Sequence, residues 1–195
     1  NYNFGIPSSL SSTVVNQGSI TAAEGGLVAL VAPGVQNMGV INARLGKVSL
    51  ASGTTFTVDL YGDQLINLGV DSQVMGQVTG MDGQALTSLV SNSGSIFADG
   101  GVVRLDVNAA QGIVDRVINM DGVIQAHSVA EKNGQIILMG GDVGEVSVSG
   151  TLDASGYDEG ETGGTVHVLG ELLSFNGSGL IDVSGDLGGG ELLFG

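Results

Sequence analysis

The sequence predicts an all-β fold: a parallel β-helix, or β-solenoid, of about seven rungs with a short extra-helical excursion in the middle. Three observations predict it. A Gly-x-(Ile/Leu)-x-(small) frame returns along the chain at near-regular steps. A second frame of alternating apolar residues follows each copy of the first. The composition is rich in glycine and poor in aromatic and charged side chains, with 35 glycines, 2 prolines, 4% aromatic and 13% charged residues.

The first frame reads Gly18-Ser19-Ile20-Thr21-Ala22, then Gly39-Val40-Ile41-Asn42-Ala43 and Gly94-Ser95-Ile96-Phe97-Ala98. It continues as Gly122-Val123-Ile124-Gln125-Ala126, Gly150-Thr151-Leu152-Asp153-Ala154 and Gly179-Leu180-Ile181-Asp182-Val183. The glycines are 21, 55, 28, 28 and 29 residues apart, and 55 is close to two steps of 28. Self-similarity at periods of about 20–50 residues marks repeat architectures. The second frame carries the apolar pairs Val28/Leu30, Val48/Leu50, Val103/Leu105, Ile136/Leu138, Val166/Val168 and Leu192/Phe194. The residues between them (Ala29, Ser49, Arg104, Ile137, His167, Leu193) are mixed. Period-two alternation of this kind means strands with one buried face. Glycine opening each strand suits a corner that needs positive φ or close backbone approach. Each repeat is therefore strand, corner, strand and a more variable third side. Rungs paired at about 4.8 Å give seven of them a length of about 35 Å.

The 195 residues read as a single β-helix domain, 1–195, with no Pro/Ser-rich linker. Stacking lets small aliphatics pile on their copies in neighbouring rungs, so 42% apolar content suffices for a core. The frame weakens over about 54–91, around Leu60-Tyr61-Gly62-Asp63-Gln64 and Gly76-Gln77-Val78-Thr79-Gly80, which reads as a degenerate rung plus an excursion. Residues 84–90 and 109–118 have the composition of one or two helical turns. No run reaches 18 consecutive apolar residues, so no segment is expected to span a membrane as a helix. There is no basic n-region or h-region, and the chain begins at Asn1 without Met, which reads as a piece of a longer protein.

Charge narrows the partners. The net charge is −15, and the five Lys/Arg residues (Arg44, Lys47, Arg104, Arg116, Lys132) form no basic stripe, so nucleic acid is excluded. Residues 140–195 hold ten carboxylates and no Lys or Arg, which makes one end of the rod acidic. Zero cysteines exclude disulfides and thiolate chemistry, and suit a chain kept unfolded through secretion.

The candidate sites follow from the repeats. Asn16, Asn37, Asn92, Asn119 and Asn176 each precede a repeat glycine by two or three residues. Stacked, their amides can hydrogen-bond along the rod. Asp153 and Asp182 share one outward position on consecutive rungs, at about 5 Å. That is the carboxylate separation of a retaining glycosidase. The preceding equivalents are Gln125 and Phe97, however, and no Arg, Tyr or Trp is phased to hold a sugar. The pair reads as a solvated ladder or a cation bridge. Oxygen ligands on a Gly-rich loop suit calcium, and the candidates are Asp153, Asp158, Glu159, Glu161 and Asp182. Neither the EF-hand spacing nor the nonapeptide calcium repeat is present. His127 and His167 fall on different parts of the coil, with His167 outward between Val166 and Val168, so no triad or zinc set is expected from it. No Lys or Ser/Thr follows Gly188-Gly189-Gly190, which reads as a corner and not a phosphate loop.

The phrasing Asn16-Gln17-Gly18-Ser19-Ile20-Thr21-Ala22-Ala23-Glu24-Gly25-Gly26 resembles a rung of the filamentous haemagglutinin-like exoproteins of bacterial two-partner secretion. So do Asn37-Met38-Gly39-Val40-Ile41-Asn42-Ala43-Arg44-Leu45-Gly46-Lys47-Val48-Ser49-Leu50-Ala51 and residues 150–164. The Asn-Pro-Asn motifs of that family's N-terminal secretion domain are missing, which places the segment just after them or along the rod. The resemblance implies a right-handed coil, export through an outer-membrane barrel transporter and a secreted, cell-surface location. It also implies an adhesin that meets host or neighbouring cells. The expected function is thus a non-catalytic rod without a cofactor, calcium apart. A self-assembling fibre that stacks copies end to end is the alternative, since the closing Glu191-Leu192-Leu193-Phe194-Gly195 continues the rung pattern. A polysaccharide-active β-helix enzyme is the third reading, and five scattered Lys/Arg residues argue against it.

Overall fold

In the computed structural model, which describes residues 2–59 and 67–195, the chain is all-β with no helix among the described residues. Three parallel sheets of six strands each stack around one core. The first sheet contains Thr13–Asn16, Gly34–Asn37, Ser88–Asn92, Arg116–Met120, Glu145–Val148 and Leu172–Phe175. The second contains Ser19–Thr21, Val40–Asn42, Ser95–Phe97, Val123–Gln125, Thr151–Asp153 and Leu180–Asp182. The third contains Leu27–Ala32, Lys47–Ser52, Val102–Val107, Gln135–Met139, Thr165–Leu169 and Glu191–Phe194. Successive strands visit the sheets in turn, the course of a β-solenoid.

The register is the one the repeat glycines define. Ile20, Ile41, Ile96, Ile124, Leu152 and Ile181 form one column across the second sheet. Val28, Val48, Val103, Ile136, Val166 and Leu192 form another across the third. Within the stack these side chains are sealed: Ile41, Ile96, Ile124, Ile136, Leu152 and Val166 have no exposed surface. A one-residue slip would turn each column to solvent, so burial itself locks the register.

Why the frame opens on glycine is visible in the backbone. A Cβ at Gly94 would lie 2.1 Å from the carbonyl oxygen of Gly39, and one at Gly39 would lie equally close to that of Gly18. Gly122 and Gly150 repeat the contact at 2.2 and 2.1 Å. Of the two reasons glycine could be required there, close approach of the neighbouring rung is the one that applies, and none of these four has positive φ.

Residues 53–87 enter none of the three parallel sheets, so Gly34–Asn37 pairs directly with Ser88–Asn92 across the insertion. Each parallel sheet therefore counts six strands, where the spacing predicts about seven rungs. Thr55–Asp59 and Asn67–Ser72 instead pair antiparallel, and Tyr2–Phe4 adds to the same small sheet. Phe4 stacks on Phe56 with ring centroids 4.4 Å apart. Leu60-Tyr61-Gly62-Asp63-Gln64, part of the expected degenerate rung, lies outside the described residues.

The two expected helical segments are not helices. In 84–90, Ala85 makes a bridge to Thr79 and the remainder runs into strand Ser88–Asn92. In 109–118, Ala109 bridges Val74, Gly112 turns the chain at φ +76°, and strand Arg116–Met120 begins. Val90 and Ile118 are fully buried partners in the first sheet, and that packing overrides local helix propensity.

The asparagine column forms only in part. Asn16 Nδ2 donates to Asn37 Oδ1 at 2.7 Å, and Asn37 Nδ2 donates to Asn92 Oδ1 at 2.6 Å, all three buried. Met120 takes the next place, with its sulfur 3.3 Å from Asn92 Nδ2. Asn119 and Asn176 do not join. They stand three residues before their glycines, whereas Asn16, Asn37 and Asn92 stand two before theirs. On a strand that odd step reverses the face: Asn119 registers with Ser91.

The glycine contact makes a paired prediction. Gly94→Ala should destabilise the chain by about 2–3 kcal/mol or more through overpacking. Gly18→Ala, with nothing within 4 Å of its Cβ, should change stability by less than about 0.5 kcal/mol. Urea denaturation of both variants measures the difference, and equal effects would contradict the close-approach account.

Candidate functional site

The polar side chains concentrate where the second sheet turns into the third. Backbone bonds there continue the stacking past the strand ends. Gly25, Leu45 and Gly100 donate to the carbonyls of Arg44, Asp99 and His127, and Ser128 donates to that of Ser155. In a parallel pairing those bonds bring Glu24, Arg44, Asp99, His127 and Ser155 into one column. Four of the five are ionisable, and their signs alternate along the rod when the imidazole is protonated.

Arg44 pairs with Glu24 across the first step. Asp99 Oδ1 accepts from the backbone N–H of His127 at 3.1 Å and from Gln125 Nε2 at 3.1 Å. The His127 ring lies between two carboxylates, with Nδ1 3.6 Å from Asp99 Oδ1 and Nε2 3.0 Å from Asp153 Oδ2. Tyr157 packs its ring at 87° to that of His127, centroids 4.8 Å apart, and its hydroxyl donates to Asp153 Oδ2 at 3.4 Å.

Asp153 is the best-held carboxylate in the chain. Ser155 donates to Oδ1 through its hydroxyl at 2.6 Å and through its N–H at 3.0 Å. Burial works against the charge, but the hydrogen bonds from Ser155 and His127 and the nearby imidazole charge outweigh it, so its pKa falls below 3.8. A solvated ladder does not describe it, since only 16% of its side chain is exposed. Asp182 occupies the same register position one strand on, and its Oδ1 accepts from Ser184 N–H at 2.8 Å. Each of the two carboxylates is thus turned into its own tight bend.

The remaining calcium candidates take different places. Asp158 and Glu159 are exposed at the tip of the acidic loop. Glu161 is buried, and its carboxylate accepts from Ala130 N–H at 2.9 Å and Asp158 N–H at 3.2 Å. Its Ala130 partner sits at φ +54°, a conformation rare for a residue with a Cβ. Among the described residues no group of three or more His, Cys, Asp or Glu side chains converges as a metal set would.

His167 points outward from the third sheet as expected, and there it meets Glu191 Oε1 at 2.6 Å. The column around His127 was missed in the sequence, along with Tyr157 beside it. Its signal was present: Arg44, Asp99, His127 and Ser155 all stand two residues past the same repeat position, at Asn42, Phe97, Gln125 and Asp153.

Chemically, carboxylate, imidazole and carboxylate can relay or hold a proton. They offer no stabilisation to a developing oxyanion, which needs donors aimed at it. Among the described residues, Arg44 is the only Lys or Arg lining the depression here, and Glu24 engages it. No protein-family model matches the chain, and no curated protein matches its sequence.

Because its folded-state pKa is depressed, Asp153 contributes stability that is fully present above its unfolded value near 3.8 and lost as pH falls through the folded value. The stability gap between the native chain and Asp153→Asn should therefore be widest near pH 7 and shrink below about pH 4. Denaturation curves of both at pH 7 and pH 2.5 measure this. A gap unchanged with pH would contradict the hydrogen-bonded carboxylate.

Proposed function

We propose that this chain is a length of non-catalytic rod from a secreted bacterial cell-surface exoprotein, similar to the filamentous haemagglutinin-like adhesins of two-partner secretion. The observation that carries the reading is the stack itself: six copies of one rung phrase, in register in all three sheets. Such a stack builds length and displays corners, and it does so without a cysteine or a deep cleft. We take the coil to be right-handed with six rungs, since parallel crossovers take that hand in about 98% of cases. The acidic, glycine-rich and cysteine-free composition suits export unfolded through an outer-membrane barrel and folding outside, rung upon rung. Calcium at the acidic loop remains part of the proposal only as an ion bridging exposed Asp158 and Glu159 to neighbouring oxygens.

A self-assembling fibre is the second reading. It is favoured by the last rung, where exposure runs from 38% at Phe194 to 51% at Leu180. An exposed strand edge templates strand addition.

Surface exposure tests the main reading. An antibody raised against residues 88–195 should label intact cells of the encoding organism, and external protease should remove the label. Signal that appears only after lysis would contradict it.

A further inference from the structure

The depression beside His127 holds more than the relay. About 270 Å³ in volume, it is lined by Asp99, His127, Ser128, Tyr157 and Asp158, with Arg44 and Glu161 at its margin. Ser128 is 3% exposed and its Oγ, shielded from solvent, has no hydrogen-bond partner. A buried hydroxyl without a partner costs free energy in the isolated protein. It is an orphan in a chain whose other buried polar side chains are almost all satisfied.

The polar groups around it are of one kind. Asp99 and Asp158 are acceptors, and each carboxylate has lone-pair sites beyond those its listed bonds use. With its Nε2 proton given to Asp153, His127 presents a second acceptor at Nδ1. Tyr157 spends its hydroxyl on Asp153 and is 66% exposed, which leaves ring surface open. Arg44, the one cation at the rim, is held by Glu24. A site of acceptors and an aromatic ring, in a chain of net charge −15, selects a compact donor of positive charge. The geometry points to a binding site for a primary ammonium group, seated between Asp99, Ser128 and Asp158 against the Tyr157 ring. The ammonium gives Ser128 Oγ its missing partner. An anionic or sulfated ligand is repelled. This inference is independent of the rod proposal, because it rests on the corner alone.

An ammonium reaches such a site as the tip of a lysine side chain on a protein or as a free alkylamine. NMR titration of the whole 195-residue chain, following the His127 and Tyr157 ring signals, separates the cases. Nα-acetyl-lysine methylamide and putrescine serve as probes, with Nε-acetylated lysine amide and sodium chloride at matched ionic strength as controls. Saturable shifts are expected with both amines and not with either control. Equal affinity for the two probes identifies a general ammonium site, and tighter binding of the lysine amide identifies a lysine-bearing partner. Ser128→Ala should weaken binding about tenfold, as loss of a hydrogen bond to a charged group does. Its melting temperature should not fall, since the hydroxyl is unpaired in the free chain. Asp158→Asn, at an exposed position, should weaken binding similarly without risk to folding. Shifts no larger than those with sodium would overturn the inference, as would undiminished binding in both variants.

Discussion

The structure depends on how closely two successive backbones approach at one corner. Where Gly39 meets Gly18, and Gly94 meets Gly39, there is no space for a Cβ. Parallel strands reach their ordinary spacing on the flanking sheets only because that corner closes. From it follow the in-register apolar columns, the buried asparagine run from Asn16 to Asn92, and the alternating column from Glu24 to His127. The glycine is invariant from rung to rung for a packing reason, while the residues beside it are free to vary.

Stacking also explains how so few aromatic and charged residues sustain a core. Each buried Ile, Val or Leu packs on its own counterpart above and below, so one small side chain serves two interfaces. Hydrogen bonding follows the same logic, with each rung donating to the next. Interruptions are tolerated where the chain can leave and return at the same corner. Residues 53–87 do this, and their antiparallel strands pair with Tyr2–Phe4 outside the stack.

Much of this was legible because the code is positional. A fixed offset from the repeat glycine identified both apolar columns in all six rungs. The same offset, applied strictly, separates Asn37 from Asn119, whose extra residue turns it to the other face. The pairing of Tyr2–Phe4 with Thr55–Asp59 left no trace in the repeat, because it joins segments that share no frame. Residues 84–90 misled for a local reason: their propensities are helical, and only the columns they join make them strand. His127 was legible one residue type at a time but not as a site. Its meaning comes from Asp99 and Asp153 on neighbouring rungs, 28 and 26 residues away.

The central claim is that the rung ending at Ser52 lies directly against the rung beginning at Ser88, whatever the intervening chain does. Methyl-labelled isoleucine makes this visible, because Ile41 and Ile96 are register partners 55 residues apart, and Ile96 is in turn the partner of Ile124. Methyl–methyl nuclear Overhauser contacts should link Ile20 to Ile41, Ile41 to Ile96 and Ile96 to Ile124 in one unbroken series. A series that breaks between Ile41 and Ile96, with each isoleucine contacting the insertion instead, would contradict the stack.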